Sequence, residues 1–187
     1  MAPVPVEQND FGFVRSYEVE INPERPSTGG WQVTEFRFGE RGRAGLAIRV
    51  TPDGGKAWVA SFALEPRGLL CGVYACPNPG QLMVLTGDDA LLMTASDPAA
   101  TKTLPIHPTI AVTRPQGTNL LVVGSFTNAL AIDGGGVLWV TDRLFRDDLE
   151  LVGGAPGKIL VRGTLYEGPE EPKLLELDPA TGRVVGR

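Results

Sequence analysis

Few side chains in this sequence fall at spacings that carry chemistry. Its one histidine, His107, lies in Leu104-Pro-Ile-His-Pro-Thr109. A Ser-His-Asp hydrolase would have to use it, yet no Gly-x-Ser-x-Gly elbow presents a nucleophile. A zinc site built on paired histidines is excluded, and Cys71-Gly-Val-Tyr-Ala-Cys76 offers only two thiolates at an uncommon spacing. These two cysteines are expected as buried thiols. Gly153-Gly-Ala-Pro-Gly-Lys158 has the flavour of a phosphate loop, but Val152 stands where that motif needs its first glycine and Ile159 where it needs Ser or Thr. A hairpin turn is the better reading. Ala131-Ile-Asp-Gly-Gly-Gly136 likewise lacks a dinucleotide fingerprint and is read as a turn.

The acid pairs Asp88-Asp89, Asp147-Asp148 and Glu170-Glu171 could serve glycosidase chemistry or calcium, but no calcium-loop spacing surrounds them. They are expected as solvated turn residues. Arg37, Arg41, Arg43 and Arg49 cluster near Phe36 and Phe38, a pattern that nucleic acid could use. Glu35 and Glu40 interrupt the cluster, and 17 basic against 22 acidic side chains leave a net charge of −5, which repels a phosphate backbone. No catalytic residue, metal or cofactor is therefore assigned. The segment that best suits interaction is 139–148, where Trp139 and Phe145 sit among Arg143 and Arg146, because aromatic and arginine side chains dominate binding hot spots. Core packing of Trp139, Leu144 and Phe145 is the competing reading.

Elements short enough to hold such loops follow from the punctuation. The 187 residues include 24 Gly and 16 Pro, so few windows reach the ten or so residues of a packed helix. Only 137–152 comfortably does, and its first half, Val137-Leu-Trp-Val-Thr141, is β-branched and aromatic after three glycines. Its second half fits one or two helical turns or a charged loop. Short strands are expected at 17–21, 31–38, 47–50, 57–62, 81–85, 120–123, 158–165 and 173–177. At 42% hydrophobic residues the chain can build a core, and its length points to a single all-β domain over 1–187 with a loose N-terminal arm at 1–12. The first residues carry neither a basic nor an apolar signal segment, and no run reaches a bilayer span, so a cytoplasmic protein without membrane contact is expected. Thirteen Arg against four Lys, with abundant Ala, Gly and Pro, point to a bacterial source.

Gly-x-x-(Trp/Met/Leu)-Val recurs at Gly55-Lys-Ala-Trp-Val59, Gly80-Gln-Leu-Met-Val84, Gly136-Val-Leu-Trp-Val140 and Gly157-Lys-Ile-Leu-Val161, each after a turn cluster. Looser versions begin at Gly29 and Arg114 and at Ala180-Thr-Gly. One turn and two short runs in about twenty residues make a β-hairpin, and hairpins in series make a meander. On Ile48-Arg-Val-Thr-Pro-Asp-Gly-Gly-Lys-Ala-Trp-Val-Ala60 and Lys173-Leu-Leu-Glu-Leu-Asp-Pro-Ala-Thr-Gly-Arg-Val-Val185 the chain resembles the β-propeller repeat families, including pyrroloquinoline-quinone-type blades. The resemblance covers about a third of the chain and implies blades of two hairpins. The spacing is uneven, so a small propeller, a closed barrel and a sandwich all remain open. The functional expectation is a non-enzymatic β-module that binds another protein or its own copy. An enzyme or small-ligand binder with a loop-built Asp, Glu, Arg and Tyr pocket is the alternative.

Overall fold

The computed structural model describes residues 5–24, 30, 33–39, 45–64, 69–153, 156–168 and 170–186. Among these no helix occurs. The strands are β1 (Glu7–Asn9), β2 (Tyr17–Ile21), β3 (Thr34–Phe38), β4 (Gly45–Pro52), β5 (Trp58–Ala63), β6 (Cys71–Ala75), β7 (Gln81–Thr86) and β8 (Ala90–Thr94). They continue as β9 (Asp97–Thr103), β10 (Ala111–Thr113), β11 (Leu121–Gly124), β12 (Ala129–Asp133), β13 (Gly136–Val140), β14 (Glu150–Val152), β15 (Ile159–Thr164) and β16 (Pro172–Leu177). Four open sheets result, in the orders β2-β4-β5-β3, β1-β6-β7-β8-β9, β10-β11-β12-β13 and β14-β15-β16. None of them closes into a barrel. Pairing is antiparallel except where β3 runs along β5 and β1 along β6.

A single domain was expected over 1–187, whereas the chain divides into two compact units, Met1–Ala75 with Pro79–Thr103, and Cys76–Asn78 with Leu104–Arg187. Two sheets share a core in each. In the first unit Leu46, Ile48 and Val50 alternate along β4 with more exposed residues and meet Val73, Val84, Leu82 and Met93 of β6 to β8. This period of two is the signature of a strand with one face toward the core. β6 is buried along its whole length, which is why its sequence is apolar rather than alternating. In the second unit Val122, Ala129, Ala131 and Trp139 meet Leu149, Ile159, Val161 and Leu177.

Part of the segment expected as a loose arm is paired. β1 adds to β6, the Tyr74 hydroxyl donates to the Glu7 carboxylate at 3.1 Å, and Phe11 stacks on the Tyr74 ring at 5.9 Å. Burial first, and then the Glu7 charge, push the Tyr74 phenol well above its ordinary pKa. Gly72 makes the approach possible, since a Cβ there would lie 2.7 Å from the Glu7 carbonyl and the Tyr74 hydroxyl.

All four repeats occupy the second strand of an antiparallel hairpin: β4–β5, β6–β7, β12–β13 and β14–β15. The looser repeat beginning at Gly29 includes Trp31, which lies outside the described residues, as do Arg41 and Arg43. The stretch after β13 is irregular rather than helical, with a single bridge from Phe145 to Leu165.

Candidate interaction surface

The four side chains singled out in the sequence come together in one corner of the second unit, and their geometry gives each a structural task. Trp139 is 7% exposed and Phe145 is fully buried. The Trp139 indole N–H donates to the Pro179 carbonyl at 2.8 Å, inside the turn Asp178-Pro-Ala-Thr-Gly. That turn is held by the Asp178 carboxylate, which accepts from the amides of Ala180 and Thr181 and from the Thr181 hydroxyl. Gly182, at φ +69°, packs on the indole so closely that a Cβ would lie 2.6 Å from its Cδ2. Phe145 packs on Gly163 in the same way, where a Cβ would stand 2.8 Å from the ring.

Arg143 and Arg146 fasten this corner. Arg143 donates through Nε to the Phe145 carbonyl at 3.1 Å and through Nη2 to that of Arg146, and its guanidinium lies 4.5 Å from the centre of the exposed Tyr166 ring. Arg146 pairs with Glu170 at 3.4 Å and donates to the Gly168 carbonyl. Asp148 accepts from the Thr164 amide at 2.8 Å and from its hydroxyl at 2.7 Å, and these bonds hold its carboxyl below the ordinary carboxylate range. Large apolar anchors bind a partner only when they are presented to solvent. Trp139 and Phe145 instead fill the core, as the competing sequence reading had it.

Two glutamates beyond this corner are also paired. Glu150 pairs with Arg162, and Glu176 with Lys158 at 2.6 Å, forming a charged ladder on the outer face of β14 to β16. At Asp88-Asp89 the bonds are to the main chain: the Thr86 amide donates to the Asp89 carbonyl, and the Asp89 amide donates to the Thr86 hydroxyl. Cys71 and Cys76 are free and buried, and burial pushes both thiols up, Cys76 far above the thiol range, so neither is a thiolate at neutral pH. His107 is exposed. A hollow of about 180 Å³, lined by Arg114, Gln116, Leu151 and Lys158 among others, is smaller than the roughly 300 Å³ at which small-molecule sites begin. Among the described residues no three His, Cys, Asp or Glu side chains are grouped to hold a metal ion, and no helix is long and apolar enough to cross a membrane.

The feature that sequence reasoning missed lies on the strand that carries Trp139. β13 is an edge strand, and beside the buried indole it exposes Val137 (43%), Leu138 (40%) and Val140 (39%). A register irregularity opposite Ala131 and Ile132 pairs Trp139 with Ala131 but Val137 with Ile132, so Val137 and Trp139 take opposite faces. Exposed edges invite pairing, and proteins blunt them with charge, proline or brevity. β2 carries Glu18 and Glu20, β3 Glu35 and Arg37, β9 Asp97, Pro98 and Lys102, and β16 Pro172, Lys173 and Glu176. β1, β10 and β14 are three residues long. β13 has five residues with no charge and no proline, and its bulge adds twist without polarity. The sequence Gly136-Val-Leu-Trp-Val140 does read as a strand, but nothing in it distinguishes an edge from a centre. No protein-family model matches the chain, and no curated protein matches it.

Proposed function

We propose that this protein is a non-enzymatic β-module, built of blade-like meanders, whose strand β13 accepts an extended strand from another protein or from its own copy. The observation that carries the reading is the apolar, uncharged edge Val137-Leu138-Val140 on a molecule whose other edges are charged, proline-bearing or short. Strand addition to such an edge draws affinity from main-chain hydrogen bonds and specificity from alternate side chains. The indole of Trp139, bonded to Pro179 and packed on Gly182, fixes β13 from the core side so that its outer edge is presented in one conformation. A preorganised edge loses less entropy on docking. Three of the surface carboxylates have structural partners, Asp148 with Thr164, Glu150 with Arg162 and Glu170 with Arg146.

A photo-crosslinking amino acid placed at Leu138 and activated in the producing cells tests the reading, with Leu174, exposed on the charged strand β16, as the control position. A covalent protein adduct is expected at 138 and not at 174. Absence of an adduct at 138 would overturn it.

A further inference from the structure

Resting on that docking reading, we infer that the occupant of β13 is β13 of a second copy of the chain, paired antiparallel about a two-fold axis. Among the edges that a second copy offers, charge selects β13. Laying β13 along β2, β3, β9 or β16 of a second molecule would press Glu18, Arg37, Lys102 or Glu176 toward Val137, Leu138 and Val140, with no counter-charge anywhere on β13. A charge so placed would give up water with no partner to replace it. β1 and β14 begin with glutamate and, like β10, offer three residues against five. β13 against β13 buries no charge and matches lengths.

Symmetry supports the same partner. An edge that pairs with its own copy about a two-fold axis uses up both edges and closes at two molecules, whereas β13 against any other edge would leave a free β13 on each addition and grow without end. Isologous pairing of one strand with itself is antiparallel by construction, the arrangement already used by β12 and β13 within the sheet.

The first unit shows what a covered edge of this kind looks like. Its tryptophan strand, β5, is flanked on its outer side by β3, and Phe36 of β3 meets the Trp58 ring edge-on at 6.0 Å while Phe38 stacks on Phe62 at 5.0 Å. In the second unit, among the described residues, no strand stands in the place of β3, and the sheet ends at β13. A strand supplied by a second molecule completes there what β3 completes within the chain.

Native mass spectrometry of the full chain, with light scattering at about 100 µM, is the test. The expected wild-type mass is twice 19.9 kDa. Leu138→Lys and, independently, Val140→Lys should each weaken association by about 100-fold or more, because the dimer would have to bury the new charge. Both positions are exposed in the single chain, so each variant should keep the wild-type far-ultraviolet circular dichroism, with Tm lowered only by the lost association, and Leu174→Lys should remain dimeric. A wild-type monomer at that concentration, or masses beyond two copies, would overturn the second-copy assignment while leaving strand docking to be judged by the crosslink at 138. A dimer that survives both β13 substitutions would overturn the assignment and remove β13 as the self-association surface.

Discussion

Trp58 and Trp139 occupy the same place in the repeat, and the two units use them alike. Each indole is buried, each begins or lies within the second strand of a hairpin, and each donates its N–H to a main-chain carbonyl just past a later strand: Trp58 to Ala95 at 2.7 Å, Trp139 to Pro179 at 2.8 Å. Both bonds tie one sheet of the unit to the other. The difference lies beside them. Around Trp58 the strand is central and its side chains are mostly buried, because residues between β2 and β4 supply β3 as a cover. Around Trp139 the strand is an edge with three apolar side chains in solvent. The lesson is that one lock, repeated, supports two different surroundings. The lock belongs to the repeat and the cover belongs to the insertion.

The comparison breaks most visibly if either tryptophan is removed. Trp58→Ala and Trp139→Ala should each cost about 3–5 kcal/mol in urea unfolding, as large aromatic truncations in cores do. A much smaller loss at one site would mean that the two locks are not equivalent. Replacement by Phe keeps most of the apolar area and removes only the donor, leaving the Ala95 or Pro179 carbonyl without its partner, at a cost of about 1–3 kcal/mol. Gly182→Ala tests the second lock alone. Its Cβ would sit 2.6 Å from the indole on a backbone at φ +69°, so a loss of about 1–3 kcal/mol is expected, with altered Trp fluorescence as the local reporter.

The cover is tested by a double-mutant cycle on Phe38 and Phe62, whose stacked rings should couple by about 0.5–1.5 kcal/mol. A coupling near zero would show that the Phe38–Phe62 stack adds nothing to the laying of β3 on β5, leaving the ladder and the Phe36–Trp58 contact to hold it. The smallest effect belongs to the second unit's corner. Asp148 has a folded pKa below its unfolded value, so the stability it contributes is fully present above roughly pH 4 and is lost as pH falls through the lower folded value. Asp148→Asn should therefore be less stable than wild type at neutral pH, with the gap closing on acidification below about pH 4. A gap that persists unchanged at low pH would assign the role to the Thr164 hydrogen bonds rather than to the charge.

Strands whose apolar residues are β-branched or alternate with polar ones were legible in the sequence: 17–21 matches β2, and the runs at 47–50, 81–85 and 173–177 lie inside β4, β7 and β16. The elements that escaped are instructive. β6, Cys71-Gly-Val-Tyr-Ala75, and β12, Ala129-Leu-Ala-Ile-Asp133, are rich in small residues with little strand propensity, and β8, Ala90-Leu-Leu-Met-Thr94, is made of helix formers. Each is buried on both faces, and pairing with neighbours overrides weak local preference. At the corner, Trp139, Arg143, Phe145 and Arg146 were legible as a cluster, but their direction was not. Composition alone does not say whether an aromatic points inward, and here Gly182 and Gly163 open the space that receives the two rings.

By itself the sequence determined the class and the punctuation. Gly and Pro at short intervals forbid long helices, and the recurring Gly-x-x-(Trp/Met/Leu)-Val places a hairpin strand wherever it occurs. Those are local constraints, set by φ, by the missing proline amide and by period-two burial, and they act on residues near one another in the chain. Only the tertiary structure decided the division into two units, the parallel addition of β1 and β3, and which strand of each sheet is left at the edge. Such choices depend on contacts between residues far apart in sequence: Glu7 with Tyr74, Trp58 with Ala95, Trp139 with Pro179. An apolar strand has the same local preferences whether a neighbour covers it or not, so the exposure of Val137, Leu138 and Val140 is a property of the fold.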